Sequence, residues 1–180
     1  MKVFRLFVPA AVLALAGCSS APIVLNYAPS STMSVKGGET VGGFDYLPAA
    51  NGKVKTNQIR NTAIGNFYLD KNVGDYFKQA FFTESRFVGI NVSSGPNVHG
   101  KINEFLIDDL GYSVDWTLAV SYVVDGAAGG EPCYTQTKST KRHTAKFANA
   151  FGTLNEVMKQ NIEEVFKDPA FVKCIGAAQG

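Results

Sequence analysis

The chain has 180 residues, 46% of them hydrophobic and 18% charged, with 17 Lys and Arg against 15 Asp and Glu. That length fits one domain with a tail, and the apolar fraction excludes a disordered chain. A net charge of +2 is too small for the electrostatic footprint of a nucleic-acid binder.

The first residues read as an address. Lys2 and Arg5 form a basic start, and Leu6 to Leu15 is an apolar run interrupted only by Pro9. A spanning helix needs about 20 apolar residues, so this run has the layout of a secretory signal. It ends in Leu15-Ala16-Gly17-Cys18, which resembles the lipobox of bacterial lipoproteins; the alternative is a plain secreted protein with an incidental Cys. The resemblance implies cleavage after residue 17, acylation of Cys18 on sulfur and on the new amine, and an essentially permanent lipid anchor. Ser19 rather than Asp after the Cys implies, by the same likeness, the outer membrane, with the domain facing the periplasm. Lys2 and Arg5 leave with the signal, so the mature chain carries 15 basic and 15 acidic side chains.

Residues 18–39 are then the lipidated Cys and a Ser-, Pro- and Gly-rich segment expected as a flexible tether. Ile23-Val24-Leu25 could make a short strand within it. Residues 40–180 form one domain. Val41 to Tyr46 reads as a first strand, ended by Pro48. Residues 48–71 are a long connection, expected to be functional or to hold a small hairpin. Asn72 to Phe87 has the spacing of a helix: Val73, Tyr76, Phe77, Ala80 and Phe81 share one face. Asn72 with Asp75 provides its cap, and Gly89 its stop.

Val98 to Ile107 is the next strand. The run Phe105-Leu106-Ile107 breaks the alternation and predicts a bulge or burial on both sides. Asp108-Asp109-Leu110-Gly111 makes a turn. From Tyr112 to Val124 even positions are apolar (Val114, Trp116, Leu118, Val120, Tyr122) and odd positions mostly polar, so one face is core and the other wet. Cys133 to Phe147 is rich in Thr and Lys, as befits an edge strand. A last helix opens at Thr153, with Glu156 completing a capping box, and Asp168-Pro169 breaks it. The order β-α-β-β-β-α predicts an α+β fold: a small antiparallel sheet packed on one face by two helices.

Cys133 and Cys174 remain after Cys18 is set aside. An even pair in an oxidising compartment favours a disulfide over two buried thiols, closing a loop of about 40 residues worth roughly 4 kcal/mol. His99 and His143 stand alone, so neither a metal centre nor a cofactor is expected. Asp108-Asp109 and Asp45 are the only candidate acid/base carboxylates, and Asp108-Asp109 lies in a turn. Glu163-Glu164 reads as a solvated helix face. Lys138, Lys141, Arg142 and Lys146 are the one charge cluster: either a guarded sheet edge, or a patch for anionic lipid, lipopolysaccharide phosphate or an acidic protein. The 13 Phe, 7 Tyr and one Trp either fill the core or line a lipid groove between helices and sheet.

The lipobox at Leu15 to Cys18 and the elements at 72–87, 98–107, 112–124 and 153–167, in that order, resemble small outer-membrane lipoproteins of the YajG-like kind. In outline they are also similar to the auxiliary lipoproteins of lipid-transport ABC systems. The resemblance implies a non-enzymatic accessory or assembly module that binds another envelope component, or else a carrier of lipid or another small hydrophobic ligand. The long 48–71 segment and the Cys133/Cys174 pair depart from that pattern.

Overall fold

The computed structural model describes residues 22–63, 67–126, 130–146 and 148–176. The expected signal sequence, residues 1–17, and Cys18 lie outside the described residues. The elements are β1 (Thr40–Tyr46), α1 (Leu47–Ala50), β2 (Gln58–Asn61), β3 (Phe67–Tyr68), α2 (Val73–Val88), β4 (Asn97–Asp109), β5 (Ser113–Val124), β6 (Tyr134–Ala145), α3 (Ala150–Phe166) and α4 (Pro169–Gly176). Six strands form one sheet in the order β3-β2-β4-β5-β6, with β1 also on β4. The long helices α2 and α3 pack on one face, which makes the fold α+β. Among the described residues no helix is long and apolar enough to cross a membrane.

β4, β5 and β6 form the expected antiparallel meander, with Ser113 opposite Ala145 and Val124 opposite Tyr134 at the two ends of the last pair. Burial alternates without a break along β5. The register of β4 shifts between Ile102 and Glu104, and this bulge lets Phe105 and Ile107 face the core below Ile102. The sheet is not antiparallel throughout. β1 and β2 both run parallel to β4, against Asn97–Ile102 and Leu106–Ile107 respectively, and so lie end to end along its other side. The physical reason is the crossover: parallel strands need a long connection, and α2 with the 47–71 segment supplies it. That segment holds α1 and the antiparallel pair β2–β3.

The core sits between the helices and the sheet. Phe44 of β1 meets Phe77 edge-on at 5.0 Å and Tyr122 at 5.9 Å, and Phe81 meets Phe166 at 5.6 Å. Fully burying each such ring is worth roughly 1.5–3 kcal/mol. Gly74 lets α2 close on β1: a Cβ there would stand 2.1 Å from the Phe44 carbonyl oxygen. Gly89 ends α2 in the left-handed region, at φ 99°.

Some local readings change. Asn72 does not cap the α2 backbone; its amide donates to Asp75 Oδ2 at 3.2 Å. α3 begins before Thr153, because Asn149 accepts from the Gly152 N–H and serves as cap. Glu156 is not part of a capping box but pairs with Arg142. Tyr112 shares the core parity of β5 yet is 98% exposed, since it precedes the strand.

The expected tether is also different from Ile23 onward. It forms a strap on the domain. Ile23 bridges Leu69 in parallel. Tyr27 and Val35 are buried. The Val35 N–H donates to the Val88 carbonyl at 2.9 Å, and the Gly38 N–H to that of Ile175 in α4 at 3.0 Å. Polar composition suggested a solvated segment, but a few buried side chains and backbone bonds suffice to dock it.

Candidate functional site

Cys133 and Cys174 are joined, with Cα atoms 6.0 Å apart. The bond ties α4 to the residue just before β6.

The basic strand does not present a patch. Side chains alternate along β6, so Lys138 and Arg142 fall on the helix side while Lys141 falls on the other. Lys138 Nζ donates to Asp168 Oδ2 at 2.7 Å, and the Tyr134 hydroxyl donates to the same oxygen at 2.9 Å. Arg142 pairs with Glu156, and Lys146 with Asp109 at 2.7 Å. The Lys138 ammonium holds the Asp168 carboxyl below the usual carboxylate range, and Lys146 does the same for Asp109. Lys141, exposed, is the member of the four facing the open side.

The candidate carboxylates diverge as well. Asp108 and Asp109 are successive strand residues and point to opposite faces. Asp108 accepts from the Thr62 hydroxyl at 2.7 Å. Asp45 is exposed opposite Lys101. His99 Nε2 lies 3.0 Å from Asp125 Oδ1, and His143 Nδ1 lies 2.6 Å from Asp115 Oδ1. Among the described residues no three His, Cys, Asp or Glu side chains converge as a metal site would require.

What stands out is the face of the sheet that the helices leave uncovered. It carries Asp115, Thr117 and Ser121 from β5 and Thr135, Thr137, Ser139, Lys141 and His143 from β6. The hydroxyls of Ser121 and Thr137 are 2.7 Å apart, and Asn103 donates to Ser121 at 2.7 Å. Over β1, β4 and β5 this face sinks into a hollow of about 620 Å³, lined by Gly43, Asp45, His99, Lys101, Ser121 and Val123. Asn97 and His99 hold Asp125, beside it, below the usual carboxylate range. The face ends at β6, whose 12 residues pair only with β5 in the sheet. Among the described residues no second strand pairs with the outer edge of β6, and hydrogen-bonding side chains line the face beside it; these are the features that side-chain contact and strand addition use.

Three buried polar residues escaped the sequence reading. Asn161 of α3 accepts from the Tyr122 hydroxyl at 2.7 Å and donates toward the Leu118 and Lys138 carbonyls and Thr140. Glu84 of α2 accepts from the Tyr27 hydroxyl and the Ser31 N–H, both at 2.8 Å. Glu39 is fully buried with neither carboxyl oxygen hydrogen-bonded. Burial pushes its carboxyl up to about 7. The nearby Ser85 hydroxyl opposes that shift, but it donates to the Phe81 carbonyl at 2.8 Å. The apolar stripe of α2, carried forward one turn, reaches Glu84 and Val88, so that spacing was a usable signal.

No family model matches the sequence, and none of the curated proteins does. Solved structures with similarity to it are found. Protein XCC0632 from Xanthomonas campestris, of the DUF330 family, superposes with a TM-score of 0.59 at 10% identity, over 88% of this chain and 98% of that one. A candidate lipoprotein from Caulobacter crescentus CB15 reaches 0.41 at 10% identity, over 62% and 87%. A PelC dodecamer chain from Paraburkholderia phytofirmans reaches 0.40 at 10% identity, over 81% and 91%.

Proposed function

We propose that the protein is a non-enzymatic lipoprotein of the bacterial outer membrane, lipid-anchored at Cys18. Its periplasmic domain serves as an accessory or assembly module that binds an extended segment of another envelope protein. The observation that carries this reading is the one-sided sheet: helices fill one face, while the other face and the β6 edge stay open and polar. The lipobox at Leu15–Cys18 supports the envelope placement, and the fold shared with a DUF330 protein is compatible with it. The carrier alternative gains no support from the core, where Phe44, Phe77, Phe81 and Tyr122 pack on one another in the space between helices and sheet.

Photo-crosslinking in intact envelopes tests the proposal. A photoreactive amino acid replacing Thr137 or Lys141 is expected to capture a discrete envelope protein, while one replacing Lys78 on the outer face of α2 captures none. Equal capture at all three positions, or none at any, would count against it.

A further inference from the structure

The six exposed large hydrophobic side chains among the described residues are Val24, Phe82, Phe87, Leu110, Tyr112 and Phe151. Three of them lie toward one end of the domain, Phe151 with its ring 6.0 Å from that of Phe67. Leu110 and Tyr112 form the β4–β5 turn, 52% and 98% exposed. Phe151 opens α3, which follows β6, and β6 ends opposite Ser113 at that same turn. Beside the turn Asp109 pairs with Lys146 and Asp115 lies against His143, while Asp108, opposite Asp115 in the register, accepts from the Thr62 hydroxyl.

The pairing scheme gives the direction of the strap. Ile23 bridges Leu69 in parallel, β3 is antiparallel to β2, and β2 is parallel to β4. The strap therefore runs opposite to β4, from the Asp109 end toward the Asn97 end. Its later contacts agree: Val35 meets Val88, and Thr40 meets Pro96. The described strap therefore begins on the side of the turn with the exposed apolar residues. Residues 19–21 separate Pro22 from Cys18, a reach of about 14 Å at full extension. A docked strap thus replaces a long leash with a short one.

We infer that the β4–β5 turn, with Leu110, Tyr112 and the nearby Phe151, rests on the phospholipid surface that holds the Cys18 anchor. Two apolar side chains and a tyrosine, whose ring is apolar and whose hydroxyl is polar, suit the boundary between headgroups and acyl chains. This orientation stands β6 and the open face on end, with Ala145 nearest the bilayer and the Tyr134 end farthest from it, where a partner can reach the strand. The inference rests on the lipoprotein reading and adds an orientation to it.

The test uses the full-length acylated protein in phosphatidylcholine vesicles containing brominated phosphatidylcholine, which quenches tryptophan at the lipid boundary. Trp116 is a background fluorophore only 4% exposed. Tyr112→Trp is expected to lose at least about half of its added emission on going from unbrominated to brominated vesicles, and Phe87→Trp, on the outer face of α2, less than a tenth. Stronger quenching in Phe87→Trp, or none in Tyr112→Trp while the protein floats with the vesicles, would overturn the orientation alone. Absence of acyl mass on Cys18 would overturn the lipoprotein reading and the orientation with it.

Discussion

The amide of Asn161 and the hydroxyl of Tyr122 meet at 2.7 Å in the interior, joining α3 to the middle of the sheet. The amide nitrogen of the same Asn reaches the backbone of both β5 and β6. One buried side chain thus fixes the height of a helix against two strands, which apolar contact alone would leave free to slide.

Asn161→Ala is therefore expected to cost roughly 3 kcal/mol, because it strands a buried phenol and removes three further bonds. Pairing Asn161→Leu with Tyr122→Phe should cost less than the sum of the single changes, since neither partner is then left unsatisfied. Denaturant unfolding of the four proteins reads this directly. Additive losses would show that the bond carries no coupling.

Glu39 predicts a particular pH profile. Its carboxyl titrates at about 7 when folded against an ordinary 4.5. Below 4.5 both states hold the proton and the residue is neutral for stability. Between 4.5 and 7 the unfolded chain releases its proton while the folded one keeps it, so stability falls as pH rises, by about 1.4 kcal/mol per unit. The total loss is about 3 kcal/mol by pH 8. Urea midpoints should drop from pH 5 to pH 8 in the wild type and much less in Glu39→Gln. Parallel drops in both would refute the assignment to this residue.

Glu84 holds the strap. Glu84→Ala leaves the Tyr27 hydroxyl and Ser31 N–H without an acceptor and is expected to cost about 2 kcal/mol. The loss should be local: hydrogen exchange at Ser31 and Val35 accelerates well beyond that in β4 and β5. Uniform acceleration across the domain would mean that the strap and core unfold as one unit.

The four basic residues of the edge strand should behave unequally. Lys138→Ala removes a half-buried partner of Asp168 and is expected to cost roughly 1 kcal/mol. Lys141→Ala touches no such pair and should stay within about 0.5 kcal/mol. Thermal melts of the two variants suffice to compare them, and equal losses would be inconsistent with the split.

These contrasts show which parts of the molecule were legible from its sequence. The α2 stripe and the strict alternation of β5 define a helix face and a sheet face directly, so the two-layer α+β architecture follows from spacing. The parallel joining of β1 was hidden, because strand direction depends on where a long crossover lands. The strap was hidden for a different reason. Its docking depends on Tyr27, Val35 and a glutamate more than fifty positions away, and no periodicity links them. The basic cluster was misleading because neighbours in sequence were counted as neighbours in space, although the pleat separates Lys141 from Lys138 and Arg142. The open sheet face was visible in the polar residues of β5 and β6, but its hollow required the placement of β1.

The bond from Gly38 to Ile175 ties the beginning of the described chain to its last helix. Residues made early must wait for α4 before the strap can make this last bond. A contact spanning most of the chain forms late and slows the search for the native state. Until the strap docks, the part of the core that Tyr27 and Val35 cover stays open, and an interrupted chain would expose it to neighbours.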